Sequence, residues 1–237
     1  MADPESIARR FVTELQADLG DRLNAAILFG SVARGEWIEG VSDINVLVLV
    51  REMNARLLAD ASPACVRSAK SGVVPLIMAG DEWARAHDVF GIELSDIRDA
   101  HVALLGGDPT GDVDVAPPML RLQAEREIRS KMLHLHGALM LEAGDPARIG
   151  QLLRLSLPSF LTYLRTALRL EGRPVPSSSE SVIDAACALI EVPPRPFQTV
   201  LAARASTGWL VPIDDPLIDE YNTAAERLAA FIDEHGR

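Results

Sequence analysis

The period of the apolar positions changes near residue 110 of this 237-residue chain. Before that point, short apolar runs alternate with amphipathic stretches. Residues 4–19 carry Ile7, Phe11, Leu15 and Leu19 at i, i+4 spacing, and Val12 widens the stripe. This predicts an amphipathic helix with Pro4 in its first turn and Gly20 at its end. Two continuous apolar runs follow, over 26–29 and 46–50. The second is rich in β-branched residues and reads as a strand covered on both faces. Gly30-Ser31 breaks the first run and can open a short helix, with Ser31 as its N-cap. Residues 53–70 are helical in composition, with Pro63 starting or breaking a turn. Further strands are predicted over 73–78 and 90–94, a short helix over 81–86, and a last apolar run over 102–105. This alternation argues for two β-helix-β units in an α/β layer.

Residues 106–112 and Pro117-Pro118 are rich in turn formers and mark a boundary. The predicted domains are therefore 1–108, an α/β unit, and 117–237, a helical unit. Helices are expected over 120–143, 146–170, 182–190, 197–204 and 216–235. The second of these carries Pro158, which predicts a kink or break. Glu125/Arg129 and Glu127/Lys131 sit at i, i+4 and support the first locally.

The formal net charge is −11. That disfavours a nucleic-acid polymer as partner, since phosphate contacts need clustered Lys and Arg, and equally disfavours an anionic membrane surface. A mononucleotide remains compatible with local basic groups. The N-terminus lacks a secretion signal, and no apolar run is long enough to span a bilayer. The expected location is cytoplasmic, with Cys65 and Cys187 as buried free thiols.

The chemistry gathers at Gly30-Ser31 and Ser42-Asp43-Ile44-Asn45, with residues 32–41 between them. Asp43 and Asn45, two apart on an extended chain, project from one face. Backbone N–H groups at a glycine turn can bind phosphate oxygens, and a neighbouring carboxylate can hold Mg²⁺. Gly30-x-x-x-x-Gly35 is not a P-loop, because Glu36 and Trp37 stand where Lys and Ser or Thr are required. His134 and His136 point ~200° apart on a helix and cannot share a ligand. Arg121, Arg126 and Arg129 read either as a solvated helix face or as phosphate contacts.

The layout resembles the nucleotidyltransferase superfamily related to DNA polymerase β, whose signature is Gly-Ser followed by Asp-x-Asp on a strand. Phe29, Arg34, Gly35 and Ser42 look like its small antibiotic-modifying members. The resemblance covers roughly residues 20–105 and implies a mixed-sheet nucleotidyltransferase head followed by a C-terminal helical bundle. It further implies ATP or another nucleoside triphosphate as substrate, Mg²⁺ as cofactor, and a small-molecule or protein hydroxyl as acceptor of the nucleoside monophosphate. Gly30, Ser31, Arg34 and Ser42 would bind the nucleotide; Arg34 reads equally as a solvated partner of Glu36 or Glu39. Asp43 and Asn45 would be the catalytic and metal-binding pair. A homodimer that closes the substrate cleft is in keeping with the family.

The chain departs from the family at Asn45, where the pattern has a second aspartate. By position, the family's third acid would fall near Pro75, and none is there. Glu93 is the alternative, and reads either as that acid or as a surface residue. Two functions stay open: an active nucleotidyltransferase, and a catalytically impaired nucleotide-binding or partner-binding module. An oligomeric scaffold without ligand is a third.

Overall fold

The two continuous apolar runs become the two central strands of a sheet. The computed structural model describes residues 3–111 and 113–236; Met1, Ala2, Asp112 and Arg237, which fall in the predicted N-terminus, boundary and C-terminus, lie outside the described residues. The chain divides into two compact units, Met1–Val115 and Ala116–Arg237.

The first unit runs α1 (Pro4–Leu19), β1 (Leu23–Phe29), β2 (Ile44–Val50), α2 (Ala55–Ala69), β3 (Val73–Ala79), α3 (Gly80–Trp83), α4 (Gly91–Asp99) and β4 (His101–Leu105). Among the described residues the strands form one mixed sheet in the order β3-β2-β1-β4. β1 is antiparallel to β2 and β4, and β2 is parallel to β3. The mixed α/β class follows the sequence. Two β-helix-β units are present, β2-α2-β3 and β3-α3-α4-β4, each joining parallel strands, whereas β1 and β2 are joined without a helix. The connection 30–43 holds turns rather than a crossover helix, so β2 returns alongside β1 in the opposite direction.

Both faces of the central strands are covered, which explains their unbroken apolar runs. Leu28, Ile44, Val46 and Val48 pack with Phe11 and Leu15 of α1 and Leu57 of α2. Ile27, Leu47, Leu49 and Met78 pack with Trp83 of α3 and Leu94 and Ile97 of α4. Each such fully buried aliphatic side chain stabilises by about 1.5–3 kcal/mol. β3 lies at the sheet edge, where Pro75 costs no ladder hydrogen bond on its open side. Pro63 lies on the exposed face of α2, which continues through it.

The strand predicted over 90–94 is helix α4. Ile92-Glu93-Leu94 mimics alternation, but Ile92, Leu94, Ser95 and Ile97 are the buried set, which is helical spacing. Both cysteines are free; Cys187 is buried as expected, whereas Cys65 is only half-buried. Burial, and secondarily Asp184, pushes the Cys187 thiol up to about 12, so it is inert as a nucleophile.

The second unit consists, among its described residues, of α5 (Pro117–Leu141), α6 (Pro146–Leu170), α7 (Ser179–Leu189), α8 (Arg195–Ala202) and α9 (Pro216–Glu234). α6 runs unbroken past Pro158. Phe160 of α6 meets Phe197 of α8 at 6.0 Å and Tyr221 of α9 at 5.4 Å between ring centroids. The buried Tyr221 hydroxyl lies 2.8 Å from Ser156 Oγ, as a buried phenol requires. Among the described residues no helix is long and apolar enough to cross a membrane.

Candidate functional site

Strand register brings the two halves of the motif together. Phe29, the last residue of β1, pairs with Asn45 of β2, so the corner at Gly30 turns beside Asn45. Gly30 has φ +76°, the left-handed region, and a Cβ there would lie 3.0 Å from Asn45 Nδ2. Glycine is thus required for both conformation and space. From Gly30 the chain makes a single tight turn: Arg34 N–H donates to Gly30 O at 3.1 Å, Gly35 N–H to Val32 O at 3.0 Å, and Glu36 N–H to Ser31 O at 2.8 Å. The turn itself does not use the N–H groups of Ser31, Val32 and Ala33, which resembles the open start of a helix.

Asp43 stands immediately before β2 and is exposed; Asn45 is half-buried. Asn45 has the parity of Leu47 and Leu49, the face covered further along by α3 and α4. One rung across this face reads Val74, Asn45, Phe29, His101. The β3 position facing Asn45 is thus apolar, and Val74 is 46% exposed.

The remaining predicted residues are distributed around this corner. The Arg34 side chain is buried: its guanidinium donates to Asp96 O at 3.2 Å and lies 3.8 Å from Asp96 Oδ1. It therefore ties the turn to α4, a partner neither sequence reading named. Ser42 Oγ accepts from Ile38 N–H at 3.2 Å, and Ser42 O accepts from the Trp37 indole at 2.9 Å, closing the loop 37–42. Glu93 lies in the first turn of α4, exposed, and not on a strand. It precedes Asp96 by three residues, so it shares the side of α4 that meets Arg34.

His101 was not anticipated. Its Nδ1 is 2.9 Å from Ile97 O and its Nε2 3.2 Å from Asp108. Only the β1/β4 register, which the sequence does not display, puts it in line with Phe29. Thr110 N–H donates to Asp108 at 2.8 Å; that bond first, then the Thr110 hydroxyl and His101, hold the Asp108 carboxyl below its ordinary value.

In the second unit, Arg121 and Arg129 bridge Glu125 of α5 to Asp233 of α9. His136 bonds Asn222 of α9 while His134 faces Ser130 of its own helix, so the two histidines diverge. Among the described residues no three His, Cys, Asp or Glu side chains are grouped to hold a metal. A lone carboxylate suits a single Mg²⁺ that shares its ligands with phosphates; it does not suit a two-ion site.

Residues 8–106 match the family described as nucleotidyltransferase domain. A stretch of 47 residues, 20% of this chain, is 47% identical to the Methanocaldococcus jannaschii protein named "Putative protein adenylyltransferase MJ0141", and covers 46% of it. The match therefore spans about half the length of that relative. The crystal structure of spectinomycin adenyltransferase AAD(9) from Enterococcus faecialis, with ATP and spectinomycin, superposes with a TM-score of 0.59 and 14% identity. That superposition covers 95% of this chain and 98% of the other, and speaks for the fold. A toxin-antitoxin structure with AMP-PNP gives 0.32 at 18% identity over 42% of this chain and 74% of the other, too low to carry an argument. With the Gly30-Ser31 turn and the Asp43-Asn45 strand start side by side on a mixed sheet, residues 8–106 form a nucleotidyltransferase domain.

Proposed function

We propose that the protein transfers a nucleoside monophosphate from a nucleoside triphosphate to a hydroxyl of a small molecule or a protein. The observation that carries this reading is the Phe29–Asn45 pairing, with Gly30 against the Asn45 side chain. A turn with unused N–H groups is then adjacent to the stretch that bears Asp43. In the reaction, the acceptor oxygen bonds to the α-phosphorus, the bond from that phosphorus to the bridging oxygen breaks, and pyrophosphate leaves. Gly30 and Ser31 receive phosphate oxygens on backbone N–H groups. Ser42 shapes the loop behind them, and Arg34 holds the turn against α4. Asp43 is the carboxylate for one Mg²⁺ that arrives with the nucleotide; when bound, that ion supplies charge neutralisation at the phosphates. Glu93, on the α4 side that meets the turn, accepts the proton of the acceptor hydroxyl.

ATP is the natural first nucleotide to test, because the neighbours named above are adenylyltransferases. The experiment is pyrophosphate release from ATP and Mg²⁺ against a panel of hydroxyl compounds and candidate proteins. Asp43→Ala is expected to lower turnover by about a hundredfold or more, comparable to loss of a major charge-stabilising group, and Glu93→Gln by about a hundredfold. Turnover that survives Asp43→Ala removes this assignment of the site.

A further inference from the structure

Asn45 offers the turn a different kind of atom from the one a metal site needs. The part of its side chain nearest Gly30 is Nδ2, which a Cβ on Gly30 would meet at 3.0 Å. An amide nitrogen donates two hydrogen bonds and cannot ligate a cation. Next to it, Ser31–Ala33 begin a turn whose own bonds leave their N–H groups unused. The facing β3 position, Val74, brings no oxygen. The Asn45 amide and the turn's N–H groups are thus neutral donors set side by side. A carboxylate in place of Asn45 would repel a phosphate oxygen unless a cation stood between them. An amide needs no such intermediary.

We infer that Asn45 is a phosphate-binding residue and not a metal ligand: its Nδ2 donates directly to a phosphate oxygen of a nucleoside polyphosphate, and the site binds that nucleotide without Mg²⁺. This rests on the nucleotide reading above and deepens it. Asp43, exposed before β2, keeps its affinity for an ion carried by the substrate.

The test is equilibrium titration of the full chain with the imido analogue of ATP, in excess Mg²⁺ and in excess EDTA. The wild-type chain is expected to lose less than about tenfold in affinity on removal of Mg²⁺. Asn45→Ala loses about fivefold in both buffers, the worth of one hydrogen bond. Asn45→Asp loses at least about tenfold more in EDTA than the wild type does, because like charges then face each other, and regains it in Mg²⁺. Wild-type affinity that falls more than about tenfold in EDTA overturns the inference. So does an Asn45→Asp variant no more sensitive to EDTA than the wild type. Absence of binding by the folded wild-type chain in both buffers removes the nucleotide reading itself, and this one with it.

Discussion

At the scale of single residues, the site depends on a glycine that has two reasons to be one. Gly30 and Gly35 both have positive φ, +76° and +72°, but only Gly30 has a neighbour where a Cβ would go. Ala at either position meets the left-handed backbone cost of about 1–2 kcal/mol. Gly30→Ala must also displace the Asn45 amide, so it is expected to weaken nucleotide binding, whereas Gly35→Ala lowers stability alone. Urea denaturation and nucleotide titration of the two variants check this; equal affinities would contradict it. Asp108 makes a second prediction. Its folded carboxyl titrates below its ordinary value of 3.8 because Thr110 donates to it first and His101 after. A depressed carboxylate adds stability above its unfolded pKa, and that contribution disappears as pH falls through the folded value. Asp108→Asn should therefore lower stability above about pH 4 and change it little at more acid pH, so that the acid limb of the stability profile flattens. An unaltered acid limb would count against it.

At the scale of elements, what the sequence displayed and what it hid have physical causes. β1 and β2 were legible because strands covered on both faces have no polar positions to interrupt them. α4 was not, since Ile92-Glu93-Leu94 is too short to separate a period of two from 3.6; Ile97 settles it only once the whole helix is in view. The corner at Gly30-Ser31 and the acid at Asp43 could be named from spacing. Their adjacency needed the Phe29–Asn45 register, and His101 needed a second register, Phe29–His101. Arg34 was misleading for a related reason: the sequence offers Glu36 and Glu39 nearby, but its partner is Asp96, 62 residues on. That bond joins the turn to α4. Arg34→Met keeps the length of the side chain and loses the charge. It is expected to cost about 1.5–3 kcal/mol, the range for a hydrogen bond to a charged group, and to weaken nucleotide binding with it. A chemical denaturation midpoint indistinguishable from wild type would mean that the guanidinium does not hold the turn.

At the scale of the whole molecule, the charge of −11 favours a small anion over a polyanion. The two units then raise the question of how independent they are. The second unit assembles its core from its own helices: Phe160, Phe197 and Tyr221 come from α6, α8 and α9. Gly150 of α6 lets the backbone at Trp209 approach, for a Cβ there would stand 2.3 Å from Trp209 O. Its first and last helices, α5 and α9, are tied by Arg121 and Arg129 to Asp233. A segment of about 120 residues is large enough to bury a core without help. Residues 116–237 expressed alone are therefore expected to give a helical far-UV circular dichroism spectrum and one cooperative thermal transition. Phe160→Ala in that fragment should lower its stability by about 3–5 kcal/mol, and Gly150→Ala should destabilise it by forcing α6 from the Trp209 backbone. The same fragment lacks the Gly30 corner and Asp43, so it should not bind the ATP analogue. A fragment that is helical yet melts without cooperativity would mean that its core is completed by the first unit, and that the two fold as one.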